Sequence, residues 1–245
     1  MIHGASAVYY REILILRRRL SRLVPSWSVS PLLYLIAFGY AMGKQVTVQG
    51  HSYMEFLIPG LIAMSSMTHA FAISSEINIA RFYWHIFEEI QAAPVSDLSY
   101  VTGEVLAGMT RAILAILVIL VLGLLFGVVL SCNAWFWLAI LLNSFVFASL
   151  AVGLAMLVKS HADQTLLTSF VITPMAFLGG TFFPVENFPA WTQKIIYLLP
   201  LTHAATSIRA AAFGDVPALS SLVILAVIGS LFFYISVLCV KKAKD

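Results

Sequence analysis

Long apolar runs alternate with short polar breaks along most of the chain, and the runs are too long for strands. A helix needs about 20 mostly apolar residues to cross a hydrocarbon core of roughly 30 Å. Six stretches meet that length: Ser26 to Met42, Tyr53 to Ser75, Thr110 to Leu130, Trp135 to Val158, Leu166 to Phe183, and Ala218 to Val240. The first is short, and the fifth carries Pro174 and the Gly179-Gly180 pair. Bends satisfied by neighbouring helices are expected in both. The pattern predicts an all-α integral membrane protein with six transmembrane helices, spread over residues 26–245.

Three segments follow other rules. Over residues 1–25, Tyr9, Ile13, Leu16, Leu20, Leu23 and Val24 share one helical arc, while Arg11, Arg18 and Arg22 lie opposite. This predicts an amphipathic interfacial helix with its arginines on anionic lipid headgroups, although Leu14 and Ile15 break the stripe. Ordinary flanking charge beside a span is the plain alternative. Residues 76–103 are too polar to cross and rich in aromatics. Arg81, Phe82, Phe87, Glu88 and Glu89 fall on a short helix that Pro94 stops, and Ser96 caps the next one. A docking surface and an interfacial aromatic belt both fit that density. In residues 184–217, Pro184, Pro189 and Pro200 cut the chain into helices too short to span, Ala190 to Leu199 and Thr202 to Phe213. They predict a re-entrant helical hairpin on the outer side.

Composition sharpens this picture. Of 245 residues 61% are apolar and only 10% charged, against roughly 25% charged in a soluble domain. A soluble enzyme is excluded, and a net charge of +3 gives no reason to expect nucleic acid. Eleven Lys and Arg, among them Arg17, Arg19, Arg111, Lys159, Lys241 and Lys244, fall on the side of the termini. Three, Lys44, Lys194 and Arg209, fall on the other. Both termini are therefore expected in the cytoplasm. Cys132 and Cys239 sit at opposite ends of different runs, so no disulfide is expected. The first 25 residues lack the apolar core and cleavage site of a secretory signal.

The search for catalytic chemistry returns little. The string from Gly39 to Gly43-Lys44-Gln45 is one residue short of a phosphate-binding loop, lacks its hydroxyl, and ends a helix instead of opening one. Six scattered histidines show no metal spacing, and no nucleophile elbow or carboxylate pair is present. Glu55, Glu76, Glu104 and Arg111 all fall near the ends of the expected spans. Charge-free span centres argue against ion coupling. Gly123 and Gly127 are read as packing positions.

Two stretches resemble a known family. Tyr53-Met-Glu-Phe-Leu-Ile-Pro-Gly-Leu61, followed by Phe87-Glu-Glu-Ile-Gln-Ala-Ala-Pro-Val-Ser96, is similar to a Glu-x-Leu-Leu-x-x-Pro-Val/Leu-Ser motif. Gly179 through Trp191, then Leu199-Pro-Leu-Thr-His203 and Arg209 to Gly214, match Phe-Pro, Pro-x-Trp, Asn-Pro-Leu and Arg landmarks. Leu199 stands where Asn is usual, and Ile90-Gln91 replaces Leu-Leu. The family is the integral-membrane subunit of bacterial ATP-binding-cassette exporters of the second type (ABC-2), with permeases for nodulation factors, drugs and polysaccharides among its members. The resemblance implies a homodimer of this chain in the bacterial inner membrane, bound to two copies of a cytoplasmic ATPase subunit. It implies no cofactor in this chain, ATP and Mg being held by the ATPase. It makes residues 81–94 the coupling helix, with Arg81, Phe82, Phe87, Glu88, Glu89 and Pro94 at the contact. A stand-alone facilitator and a lipid-modifying membrane protein are the rivals.

Cargo is legible only as a class. Met64, Met67 and Phe71 recur on one face of the second expected span, and Met175, Leu178 and Phe182 on the fifth. Thioethers and aromatic rings accommodate varied apolar groups. An amphipathic or lipid-like substrate is expected to pass them, with plain helix packing as the alternative.

Overall fold

The computed structural model describes residues 2–40, 47–48, 50–158 and 160–243. The far end of the first expected span, the Gly43-Lys44-Gln45 end of the glycine string, and Lys159 and Lys244 of the orientation count lie outside the described residues.

Among the described residues each expected span holds helix, but the boundaries move and not every span is continuous. Helix α1, Ile2–Tyr34, runs without a break through Pro25 and Pro31 into a π-helical turn over Leu35–Tyr40. The expected change of element at residue 25 does not occur. A short hairpin pairs Thr47 with Ser52 and Val48 with His51, and leads into α2, Tyr53–Phe71. Ser52 Oγ accepts from the Glu55 amide while the Glu55 carboxylate accepts from the Ser52 amide at 2.8 Å. This reciprocal cap satisfies two donors that a helix start would leave bare.

After a bend at Ala72 the helix continues as α3, Ile73–Phe82, and a short α4, Ile86–Ala92, follows. Helix α5, Asp97–Leu125, starts at the Ser96 cap, well before the expected Thr110. The polar residues between the Ser96 cap and Thr110 are small or charged rather than helix-breaking, so the helix expected after that cap and the apolar span expected from Thr110 are one continuous element. Arg111 consequently sits midway along α5, which corrects the expectation that it lies near an end.

Helix α6, Ala134–Leu157, forms the centre of the core and packs against α2, α5 and two later helices, α10, Pro200–Ala212, and α11, Leu219–Lys242. Between them lies a broken stretch: α7, His161–Leu167, a π-helical turn over Thr168–Ile172, and α8, Thr173–Leu178. Pro174, which has no amide proton, sits just beyond that turn and accounts for the interrupted ladder. The segment expected on the outer side holds α9, Ala190–Ile196, and α10, close to the two short helices expected there.

Among the described residues, four helical stretches are long and apolar enough to cross a membrane: Tyr53–Phe82, Asp97–Leu125, Ala134–Leu157 and Leu219–Lys242. The first and fifth expected spans are not among them, because the middle of α1 carries six charges between Arg11 and Arg22 and leaves only a short uncharged end, and the stretch through α8 is broken into short pieces. Burial differs widely within the four. Polar side chains inside the core find partners: Asn143 Nδ2 donates to the Ala63 carbonyl at 3.0 Å, and Gln164 Nε2 donates to Ser74 Oγ at 2.8 Å while Gln164 Oε1 accepts from Asn78. Helix α11 instead leaves Val223, Val227, Leu231, Tyr234 and Leu238 exposed at near-helical spacing. That stripe suits lipid tails.

Candidate functional site

The loop between α3 and α5 divides its side chains between inside and outside. Arg81 ends α3 half-buried; its Nη1 donates to the Ala155 carbonyl of α6, and its guanidinium lies 5.2 Å from the Phe82 ring and 5.4 Å from the Phe87 ring. Phe87 is buried and meets Tyr100 of α5 edge-on at 5.5 Å. Phe82 is partly covered. Glu88, Glu89 and Pro94 are exposed, as are Tyr83, Trp84 and His85. His85 adopts a left-handed φ of 52° at the start of α4, which turns the chain sharply there. Arg81 was expected on the exposed surface; the nearby carbonyl and two rings draw it inward instead. The segment is thus anchored from within by Arg81 and Phe87 and presents an acidic and aromatic outer side.

Behind it lies a largely buried charge cluster that the apolar pattern of the sequence did not assemble. Arg19 reaches both oxygens of Glu76 at 3.2 Å, and Arg111 Nη1 reaches the same carboxylate at 3.3 Å. Glu12 accepts from Arg11 at 2.5 Å and lies 3.9 Å from Arg111 Nη2, while Glu104 lies 3.6 Å from Arg11. Glu12 and Glu104 are buried, so the pairs are shielded from salt and water. Burial pushes the Arg11 pKa down, but the Glu12 bond and the neighbouring carboxylates outweigh it and leave the pKa raised. The cluster joins α1, α3 and α5. Close approach of α1 to α5 depends on Gly103, where a β-carbon would stand 2.7 Å from Val8 Cβ. The signal was present in the sequence: Glu12 interrupts the Val8, Leu16 row, and Glu104 and Arg111 are seven residues apart on one helical face.

The residues assigned to a substrate path separate. Met64 and Phe71 line a cavity of about 410 Å³ between α1, α2 and the α7 to α8 stretch, together with Trp27, Thr68, His69 and Phe177. Trp27 and His69 rings lie 5.1 Å apart on its wall. Met67 is fully buried in the core and does not line it. Phe182 packs among Tyr34, Phe38 and Phe177 at 5.1 to 5.4 Å. Met175 is half-buried and Leu178 exposed, both outside the cavity. The sequence missed Trp27 because α1 was expected to change element just before it.

On the face opposite the termini, Arg209 of α10 is buried. Its Nη2 donates to the Gly180 carbonyl at 2.8 Å and its Nε to the Phe56 carbonyl at 3.4 Å, with the guanidinium 3.8 Å above the Phe56 ring. Gly60 permits this approach, since a β-carbon there would run into the Thr181 carbonyl. Asn133 ties the same face together by capping α6 at Phe136 and donating to the Ala211 carbonyl at 2.9 Å. Among the described residues no group of His, Cys, Asp and Glu could hold a metal ion.

Comparison with known proteins bears on this geometry. A sequence model described as ABC-2 type transporter matches residues 5–213. The chain is 30% identical over 213 residues to the inner membrane transport permease YadH of Escherichia coli K12, covering 84% of this chain and 82% of that one. It is 33% identical over 194 residues to Nodulation protein J of Neorhizobium galegae, covering 75% and 71%. Nodulation protein J of Rhizobium meliloti is also 33% identical, over 195 residues, covering 76% and 72%.

Proposed function

The chain belongs to the ABC-2 type transporter family, and from that premise we propose that it is the membrane subunit of an exporter driven by a separate ATP-binding-cassette ATPase. It is a multi-pass transport permease of the inner membrane. In this reading two copies form the transport path and bind two ATPase subunits, both termini are cytoplasmic, and the chain itself does no covalent chemistry. The C-terminal part of α1 and the stretch from α7 to α8 complete six spans once a second copy and lipid surround them. Helices α9 and α10 then form a re-entrant hairpin in the outer leaflet.

The observation that carries the reading is the two-sided segment around α4. Glu88 and Glu89 face outward, where a partner's basic groups can meet them, while Arg81 and Phe87 fix the segment to α6 and α5. Any displacement of α4 by the ATPase therefore reaches two long helices directly. Glu76, one turn before Arg81, extends the connection through the charge cluster to α1. A ligand can shift a conformational balance only through contacts that differ between states, and this segment supplies such contacts.

Cargo in this reading is amphipathic: a lipid-like molecule, drug or glycan conjugate. The cavity beside Met64, Phe71 and Trp27 mixes aromatic faces with the hydroxyls of Ser65, Thr68 and Thr168, and among the described residues no carboxylate or ammonium lines it. Such a lining suits an apolar body with neutral polar groups. Copurification tests the whole proposal. An ATP-binding-cassette ATPase of the same organism, coexpressed with this chain, should elute with it from detergent, and Glu88→Lys with Glu89→Lys should abolish the complex. Transport that persists with no ATPase bound would favour a stand-alone facilitator.

A further inference from the structure

The cavity above Arg209 has a charge arrangement that packing does not account for. It encloses about 240 Å³ and is lined by Arg209, Phe56, Val185, Thr206, Glu186 and Asp215, among others. Its floor is a buried guanidinium that gives two N–H groups to backbone carbonyls and its face to Phe56. Among the described residues no carboxylate lies within ion-pair distance of it. Carbonyl dipoles orient a cation without neutralising it, Glu186 at the rim offsets its charge only from beyond ion-pair distance, and a buried charge without a contacting counter-ion is costly. The Nη1 edge of the fork makes no hydrogen bond to a described side chain or carbonyl. A guanidinium edge of this kind matches the oxygens of a phosphate or carboxylate.

The rim has the opposite sign. Glu186 and Asp215 are both exposed and both line the cavity. A simple anion would be repelled by that rim and a simple cation by the floor. A molecule carrying both charges, anionic end inward and cationic end outward, meets each with its complement. The volume is about eight times the roughly 30 Å³ share of one liquid water, room enough for a small headgroup.

We propose that this cavity binds a zwitterionic phosphate-ammonium group of the phosphoethanolamine type, its phosphate on Arg209 and its ammonium between Glu186 and Asp215. The site lies on the far face from the coupling segment, and the proposal stands or falls independently of ATPase docking.

Equilibrium binding to the full chain in detergent tests it, with dioctanoyl phosphatidylethanolamine and dioctanoyl phosphatidylglycerol as probes. The wild type should prefer the ethanolamine lipid by about tenfold, the scale of one charge-assisted contact. Glu186→Gln with Asp215→Asn, both at exposed positions, should erase that preference without weakening the glycerol lipid. Arg209→Gln should weaken both lipids by about tenfold or more. Displacement by free phosphoethanolamine would assign the site to a soluble zwitterion, and a requirement for the acyl chains would assign it to a membrane lipid. Equal affinity for the two lipids in the wild type, absence of saturable binding, or a preference that survives in the double variant would overturn the proposal.

Discussion

At one end of the molecule Arg11, Arg19 and Arg111 meet Glu12, Glu76 and Glu104; at the other, Arg209 meets two backbone carbonyls and the face of Phe56. The first arrangement cancels charge with charge, so each member depends on the identity of another side chain. The second depends on where the backbone places Gly180 and Phe56, and it leaves the charge in force. A neutralised cluster suits a joint that carries movement between helices. A cation left in force suits a place that receives something from outside.

The comparison breaks most visibly at Arg111. Arg111→Met should destabilise the protein by about 3–5 kcal/mol, because it leaves the buried Glu12 and the partly buried Glu76 short of a counter-charge. Thermal unfolding in detergent should show the loss, and adding Glu76→Gln should restore part of it. Arg209→Lys comes next. Lysine keeps the charge but cannot hold two carbonyls in a planar fork, so a loss of about 1.5–3 kcal/mol is expected by the same measurement. Adding a neutral partner change should rescue nothing there, since the partners are main-chain atoms. Phe56→Leu should cost a smaller amount, about 0.5–2 kcal/mol for the ring face in addition to its packing, and a double-mutant cycle with Arg209→Lys should isolate that coupling. Smallest in stability is Glu88→Lys, within about 0.5 kcal/mol of wild type, with loss of ATPase capture as the outcome that matters. In the cavity, Met64→Trp should reduce transport in a folded protein, whereas Met67→Trp should overpack the core by about 1–3 kcal/mol.

Much of the architecture was legible because apolar length and capping residues act locally. The helices from Tyr53, Trp135 and Ala218 onward appear within a residue or two of where the pattern put them, and Ser52 and Ser96 cap as their side chains dictate. The cap of α5 was legible at Ser96, but its continuity into the apolar span expected from Thr110 was not, because helix formation does not stop where apolarity does. The candidate site was legible in its outline but not in its orientation. Arg81, Glu88 and Glu89 look alike as charges in a loop, and only the position of the Ala155 carbonyl separates the one that turns inward. The charge cluster draws on three helices far apart in sequence, so no window of the chain contains it. Likewise Met64 and Met67 differ by one helical turn, yet α1 and α8 decide which of them meets a cavity.

The hydrogen bonds that join Gln164 to Ser74 and Asn78, the first donated by Gln164 and the second accepted from Asn78, set an order on biosynthesis. Ser74 and Asn78 leave the ribosome with α3, and their partner follows only after α5 and α6 have been made. A bare amide is poorly tolerated among lipid tails. Helices α2 and α3 must therefore remain sheltered in the insertion machinery, or under α5 and α6, until α7 arrives to close the core. Nascent chains ending after α6 should accordingly stay bound to that machinery, while chains extended past Gln164 should be released.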